Sequence, residues 1–529
     1  MNLRSLLLLL IVLWPCAACA QLTAPSPAPP TTVFHIQRVE LQGSTVLQKQ
    51  LSRLLAPYHD RDVTKPTLDK LAQDILEIYR KADYLLVSVD PPNTVDPGGV
   101  VTMHVVEGRL GEIHIQGNRH YATHTLRRFL QAARHEKILR HSTILKAVML
   151  LNELPEVQVT TVFKPGAKVG TSDLTVIVSD RSPHFVGVSY DDYGTATIGE
   201  HRAGLSLTYG NLTNNADLLY LSSVFPFPSP AHEPLLQGTY SALIRDDGTR
   251  LNFSYANSNI QVGGDFTVLD VRGKADIYTV SLTHPLCRTL VETHDRDNPL
   301  IPRTSDLTFA FSLKSIGNFA HAVTTSHDEL RELSATYSGT WPLAGARYYM
   351  SLTGTMGLGN LLGGTPVGST TTSRLGASDN FSKVNLDVMR IQKLGPMFLV
   401  LRGSAQSARH LLPVQEEFSL GGPDSVRGYQ INEQFGDNGF FTSAELRFPI
   451  PKTKTAQIGP FFDYGGVSVT RPVPGQRTHV ELKGAGLGVS STFGPYTEGR
   501  FDVGFPIGPP GVSNRRVILY GQATSRFQF

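Results

Sequence analysis

The last eleven residues, Leu519-Tyr-Gly-Gln-Ala-Thr-Ser-Arg-Phe-Gln-Phe529, alternate without a break. Leu519, Gly521, Ala523, Ser525, Phe527 and Phe529 share one face, and Tyr520, Gln522, Thr524, Arg526 and Gln528 the other. A period of two is that of a β-strand between two unlike environments. Working outward, Glu498 to Phe505 sets Phe501, Val503 and Phe505 against Glu498, Arg500, Asp502 and Gly504. Arg202 to Tyr209 sets Ala203, Leu205, Leu207 and Tyr209 against Arg202, Gly204, Ser206 and Thr208. From His184 onward such segments recur between Gly, Asn and Asp turns, with no helical pattern among them.

A soluble β-sandwich would alternate as well, with its polar face turned to water. The alternation that runs without a helix to an aromatic last residue favours a membrane, and the front of the chain points to export. Met1 to Ala20 reads as a secretory signal: Arg4 is the positive n-region, Leu6 to Trp14 the apolar core, and Ala18-Cys19-Ala20 the small-residue cleavage site. Cys19 leaves lipoprotein processing as an alternative, although Cys16 stands where such sites want Leu. Cleavage after Ala20 would leave Cys287 as the one cysteine and permit no internal disulfide. No other apolar run approaches the length of a membrane-spanning helix, so an exported membrane protein has to cross as a closed barrel. The roughly 345 residues from His184 to the end, at about 20–22 per strand with its connection, give on the order of 16 strands. Only 18% of residues are charged and the net charge of +3 is spread without basic runs, which leaves nucleic-acid binding no electrostatic footprint.

Between signal and barrel the texture is α+β, and it repeats. Gln21 to Thr32 is a Pro-rich linker. Val39-Glu-Leu-Gln-Gly43 leads into Leu51, Leu54 and Leu55, and Ile113-His-Ile-Gln-Gly117 into Leu126, Phe129 and Leu130. Second helices follow, marked by Leu68, Leu71, Ile75 and Ile78, then by Ile144, Val148 and Leu151. Two strands end each copy, Leu85 to Val89 with Val101 to Val106, and Val157 to Phe163 with Leu174 to Val178. The period of about 75 residues suits a small domain. The expected organisation is thus residues 1–20 signal, 21–32 linker, 33–108 and 109–182 the two repeats, and 183–529 the barrel.

One stretch of the barrel region is not strand-like: Phe418-Ser-Leu-Gly-Gly-Pro-Asp-Ser-Val-Arg-Gly-Tyr429. Gly421, Gly422, Pro423 and Gly428 shape the backbone around one fixed cation, Arg427, which needs an anionic partner. In Gln457 to Gly466 the single acid, Asp463, shares a face with Gln457, Gly459, Phe461 and Gly465. The more apolar opposite face belongs to lipid, so Asp463 points into the lumen. Ser443, Glu445 and Arg447 point inward from the preceding strand. A loop tucked into the lumen, about residues 419–438, would bring Arg427 to Asp463, with Glu445 the second candidate; the planar guanidinium can bind a carboxylate through two parallel hydrogen bonds.

These features resemble known families. The terminal Phe529, with Phe527 two and Gly521 eight residues before it, resembles the closing-strand signal of bacterial outer-membrane barrels. The β-α-α-β-β order, with Tyr79…Asp83-Tyr84 and Val105-Val106-Glu107-Gly108, resembles tandem POTRA domains; unrelated ferredoxin-like modules are the plainer reading. Val426-Arg-Gly-Tyr429 after Leu420-Gly-Gly422, with Phe461-Phe-Asp463, Asp191-Asp-Tyr-Gly194 and Ser443 to Arg447, resembles the POTRA-plus-barrel outer-membrane superfamily. Two POTRA copies resemble its two-partner secretion transporters of the haemolysin and adhesin secretion-activation type.

That resemblance implies two α+β POTRA domains before a sixteen-stranded transmembrane barrel. It implies a site in the outer membrane of a Gram-negative bacterium, with the POTRA domains in the periplasm. Val426, Arg427, Gly428 and Tyr429 would be the lumenal loop motif, with Arg427 on the strand aspartate Asp463. The implied partner is a large exported β-helical adhesin or haemolysin, captured unfolded and threaded through the lumen. Ile113, Ile115, Leu126, Phe129 and Leu130 are the candidate client-binding surface, using strand edges that accept a client strand. Outer-membrane lipid and the barrel assembly machinery are the other expected partners; no cofactor, metal or enzymatic activity is expected. Several members carry an N-terminal plug helix, which Gln21 to Thr32 is too short and Pro-rich to form, so closure would rest on the loop or the pore would leak.

An insertase of the same superfamily would share loop, aspartate and barrel, and domain number favours secretion. A barrel enzyme needs a Ser/His or Asp/His constellation. His284, Glu292, His294, Asp295 and Asp297, and His327-Asp-Glu329, are read as polar loop surface, without a defensible metal-ligand spacing.

Overall fold

The computed structural model describes residues 33–92, 96, 98–228, 234–262, 269–293, 300–451, 453, 455–508, 511 and 514–529. The segment expected to be a signal, the Pro-rich segment 21–32, and His294, Asp295 and Asp297 lie outside the described residues. The chain divides into two compact units. One takes the described residues up to Gln116 with Leu130–Val148 and Val159–Val178; the other takes Gly117–Phe129, Met149–Gln158 and Ser179–Phe529.

The first repeat runs β1 (Val33–Ile36), β2 (Arg38–Gln42), α1 (Gln48–Leu55), β3 (Arg61–Thr64), α2 (Lys65–Lys81), β4 (Val87–Asp90) and β5 (Val100–Glu107). Its sheet has the order β2-β5-β4, with β2 parallel to β5 and the helices in the crossover between them. Helix α2 starts with Pro66 in its first turn and ends with Arg80 and Lys81 in its last, where cations suit the dipole. Its buried stripe is Leu68, Leu71, Ala72, Ile75 and Tyr79, with Ile78 only half-buried, over a core holding Ile36, Leu51, Val101 and Met103. The small β1-β3 pair stands outside the expected strand list.

Two of the family-like residues meet in a polar knot. The Tyr79 hydroxyl donates to Glu107 Oε1 at 2.7 Å, and the backbone N–H groups of Thr45 and Val46 donate to the same oxygen at 2.8 and 3.2 Å. Burial alone would raise the Glu107 carboxyl, but the Thr45 hydroxyl and N–H, Tyr79 and Val46 together hold it below the usual range.

The second repeat runs β6 (Arg109–Gln116), α3 (Thr123–Arg128), α4 (Gln131–Arg134), α5 (His141–Asn152), β7 (Val157–Pro165) and β8 (Thr171–Asp180). Its sheet order is β6-β8-β7, with β6 parallel to β8. The expected helix through Leu126, Phe129 and Leu130 is broken, since α3 stops at Arg128 and α4 starts at Gln131.

The barrel begins with β9 (His184–Asp191), β10 (His201–Gly210), β11 (Leu218–Phe227), β12 (Leu235–Leu243) and β13 (Arg250–Gln261). It continues through β14 (Arg272–Glu292), β15 (Leu300–Ala320), β16 (Val323–Leu343), β17 (Ala346–Gly357), β18 (Ser382–Leu394) and β19 (Met397–Ala408). After a short hairpin, β20 (Phe418–Leu420) and β21 (Gln434–Gly436), it resumes. The last strands are β22 (Asn438–Pro449), β23 (Gln457–Ser468), β24 (His479–Phe493), β25 (Thr497–Pro506) and β26 (Ile518–Gln528). Leaving out the hairpin, sixteen antiparallel strands close on themselves. At the seam β26 pairs with β9 from Gln522↔Asp191 to Gln528↔Phe185. The Phe529 N–H donates to the His184 carbonyl at 3.2 Å.

The two faces are what the alternation predicts. Leu205, Leu221, Phe309, Phe462 and Leu487 stand exposed on the outside. Inward-facing hydroxyls pair across strands, Thr279 with Ser312 at 2.9 Å and Thr336 with Thr353 at 2.9 Å. Closure pairs the backbone of each wall strand, as a hydrocarbon surround demands.

Candidate functional site

Strands β19 and β22 are neighbours in the wall, so the segment 409–437 between them leaves and re-enters at one rim. It folds back inside because it carries its own apolar seat. Leu420, Val426 and Tyr429 pack with Phe441 of β22, Val467 of β23 and Leu482 of β24, all buried. Backbone contact is equally close. Gly428 adopts φ +102°, and a β-carbon there would come within 2.7 Å of the Phe505 carbonyl carbon. That left-handed conformation against backbone leaves room for glycine alone. The Gly428 N–H donates to the Tyr520 hydroxyl at 2.9 Å, and that hydroxyl donates to the Tyr429 carbonyl.

The seat delivers Arg427, fully buried, to an acidic arc of wall. Its Nε donates to Asp463 Oδ2 at 2.7 Å and its Nη2 to Asp463 Oδ1 at 2.9 Å, a two-pronged bond. The Arg427 backbone N–H adds a third bond to Asp463, at 3.1 Å. Nη1 reaches Glu445 at 3.1 Å and Asp502 at 3.4 Å, and Nη2 reaches the Ser443 hydroxyl at 3.3 Å. The guanidinium carbon lies 3.3 Å from the centroid of the Phe461 ring, stacked on its face.

Further guanidiniums line this arc. Arg447 Nε bonds Glu445 at 2.6 Å, and Arg500 bonds Asp502 at 2.7 Å and Glu445 at 3.3 Å. Three carboxylates therefore meet three hydrogen-bonded guanidiniums, as a buried ionic cluster requires, and a fourth, Arg402 of β19, opposite Ser443, lies 5.8 Å from the centroid of the Phe441 ring. Removing one member exposes the others to an uncompensated field.

A second loop, 358–381 between β17 and β18, is bound beside the first. The Thr365 N–H donates to the Glu329 carbonyl at 2.7 Å, and the His327 N–H to the Thr371 carbonyl at 2.6 Å. Arg374 Nη1 lies 2.8 Å from Asp437 and 2.7 Å from Glu417, at the two ends of the lumenal hairpin. Asp379 is buried and accepts from the Arg331 N–H at 3.0 Å. Burial pushes its carboxyl up to about 7 against that bond.

Of the residues singled out from sequence, Val426, Arg427, Gly428 and Tyr429 thus lie in the lumen, and Asp463 and Glu445 both contact Arg427. Asp502, Ser443, Phe461 and Tyr520 were not expected as partners. Asp502 and Ser443 were legible as inward-facing acid and hydroxyl, and Phe461 as a neighbour of Asp463 on the same face. The expected client surface needs correction. Leu126, Phe129 and Leu130 are buried and offer no surface, Leu126 on α3 and the other two in the break between α3 and α4. Ile113 and Ile115 are half-buried on β6, at an edge of its sheet. His327, Asp328 and Glu329 serve to hold loop 358–381, with His327 Nε2 2.8 Å from Glu329 and Asp328 accepting from the Ser373 N–H.

Comparison with known proteins adds the following. A family model described as haemolysin secretion/activation protein ShlB/FhaC/HecB matches residues 170–491, and a model of the ShlB-type POTRA domain matches residues 34–108. The heme/hemopexin transporter protein HuxB of Haemophilus influenzae (strain 86-028NP) is 24% identical over 477 residues, covering 86% of this chain and 80% of that protein. The solved structure of CdiB from Escherichia coli has a TM-score of 0.77 at 20% identity, over 96% of this chain and 93% of that one. BamA from Haemophilus ducreyi, lacking POTRA domains 1–3, has a TM-score of 0.52 at 14% identity, over 93% of this chain and 100% of that one. Both likenesses concern the fold.

Proposed function

Because the chain belongs to the haemolysin secretion/activation family ShlB/FhaC/HecB, outer-membrane transporters of two-partner secretion with periplasmic POTRA domains, we propose that docking of Arg427 on Asp463 controls passage of the exported partner through the barrel. The observation that carries this reading is a fully buried arginine brought by a loop, rather than by a strand, to a wall carboxylate. A wall-to-wall ion pair would only brace the barrel. A loop-to-wall pair can be made and broken while the barrel stays closed.

In this reading the client is a large exported β-helical protein that arrives unfolded, and edge strand β6, which carries Ile113 and Ile115, is where it would be captured. Strand addition at such an edge tolerates varied sequences. The client then threads a polar lumen, and folding outside supplies the drive. No catalytic step enters: the buried carboxylates of the site each face a guanidinium. Surrounding lipid and the assembly machinery that inserts the barrel complete the partners.

A reversible tether tests the loop's movement. Val426→Cys and Leu482→Cys, in a Cys287→Ser background, place two thiols within the apolar seat. Secretion should stop under oxidation and resume on reduction. Undiminished secretion by the cross-linked protein would mean that the loop does not have to move.

A further inference from the structure

The geometry points to a second latch on the same loop, of opposite charge sense: Glu416 is a positioning residue that pins the loop's base while Arg427 holds its tip. The inference rests on the loop-docking reading above and extends it to how far the loop travels.

Glu416 lies in a short 3-10 turn, Val414–Glu416, just ahead of β20, and is buried. Its Oε1 is 2.6 Å from Lys314 Nζ, and its Oε2 is 2.8 Å from Lys383 Nζ. Its carbonyl accepts from Lys383 Nζ at 3.0 Å and from Gln406 Nε2 at 2.9 Å. Gln406 Nε2 also donates to the Asp437 carbonyl at 3.1 Å, so one wall amide holds both the start and the end of the hairpin. Lys314 has a further partner in Glu332, 2.9 Å away.

Position makes this a separate device. Lys314, Glu332, Lys383 and Gln406 belong to β15, β16, β18 and β19, whereas the partners of Arg427 belong to β22, β23 and β25. The hairpin is therefore tied to two arcs of wall. At one a loop cation meets wall acids; at the other a loop anion meets wall lysines. Removing the Glu416 carboxylate would leave Lys314 with Glu332 alone and Lys383, largely buried, without a carboxylate partner among the described residues, an arrangement that burial makes costly. Releasing Arg427 alone leaves this second anchor made. The loop then swings about Glu416 instead of leaving the lumen, and full opening requires both contacts to break.

Single-channel recording of the full-length protein in planar bilayers, beside client secretion from cells, separates the two latches. Glu416→Gln keeps shape and removes charge; in an Arg427→Ala background it should raise open-state occupancy about tenfold or more over Arg427→Ala alone. Glu416→Asp should largely restore closure, and Glu416→Lys combined with Lys383→Glu should close the pore better than Glu416→Lys by itself. A double variant no more open than Arg427→Ala would overturn the pivot. Arg427→Ala with wild-type conductance and secretion would instead overturn the docking reading, so the two failures are distinguishable. Heat-modifiable migration checks that each barrel is folded; Glu416→Gln decides the matter even if the charge inversions fail to assemble.

Discussion

The carbonyl oxygen of Arg427 rests against Gly484 of β24, 1.8 Å from where a β-carbon on that glycine would stand. The wall is thus cut away here, and again at Gly504 of β25, 2.5 Å from the Gly428 nitrogen by the same measure, so that a loop backbone can lie on it independently of any charge.

Gly484→Ala should therefore displace the loop without touching an ion pair. The added methyl meets backbone, which has no flexible end to yield, so the hairpin tip has to lift. We expect a leakier pore and impaired secretion with a normally folded barrel. Wild-type conductance from this variant would refute the close seating.

Arg427→Ala removes the cation and leaves Asp463 without the guanidinium that binds it through both oxygens. Breaking a buried pair by removing one partner costs about 3–5 kcal/mol, enough to undock the loop. Arg427→Lys keeps the charge but loses the planar fork, so it should restore only part of client secretion. Equal secretion by both variants and wild type would make the loop dispensable. A charge swap between Arg427 and Asp463 that recovered nothing would count against the pairing alone.

The three acids should not be equivalent. Asp463 accepts three bonds from Arg427, including one from its backbone, whereas Asp502 lies 3.4 Å away and chiefly serves Arg500. Asp463→Asn should raise pore conductance more than Asp502→Asn, with Glu445→Gln between them. The reverse ranking would show that Asp502, not Asp463, dominates the docking.

Loop 358–381 should be held more firmly in mild acid. The Asp379 carboxyl is raised to about 7 by burial, so the attached state binds its proton more readily than the detached one. The stabilising contribution is complete below about pH 4 and is lost as pH rises through 7. Hydrogen exchange across this loop should speed up between pH 5 and 8, after correction for intrinsic exchange, in about that window. Asp379→Asn should flatten the trend; an unchanged slope would assign it to another group.

Glu107 has the opposite sign. Its carboxyl is held low by Thr45, Tyr79 and Val46, so its contribution is present above the ordinary glutamate range and is lost as pH falls through its lowered value. Glu107→Gln should loosen α2 and β5 by about 1 kcal/mol at neutral pH, read as faster exchange of their amides. Unaltered exchange would mean that the Tyr79 hydroxyl finds an equivalent partner.

The sixteen strands were legible because a spanning wall strand has two solvents, and alternation records both. Asp463 was legible for the same reason, as one acid on the less apolar face of its strand. Glu416 was not. Its lysine partners Lys314 and Lys383 come from strands 102 and 33 residues away, and nothing local marks a glutamate that a loop carries across a lumen. Leu126, Phe129 and Leu130 depart from expectation in the other direction: their apolar spacing signals burial, and buried they are, which leaves no binding surface there. The β1-β3 pair escaped because two four-residue segments pair across α1, with no turn signal between them.

The seam between β9 and β26 has one more consequence. Seven residue pairs join the first wall strand to the last, and the terminal phenylalanine is tied down at both its N–H and its carbonyl. A nascent strand could be templated there only after those bonds were broken. While that hem stays stitched, the sheet gives passage along its axis and presents no open edge.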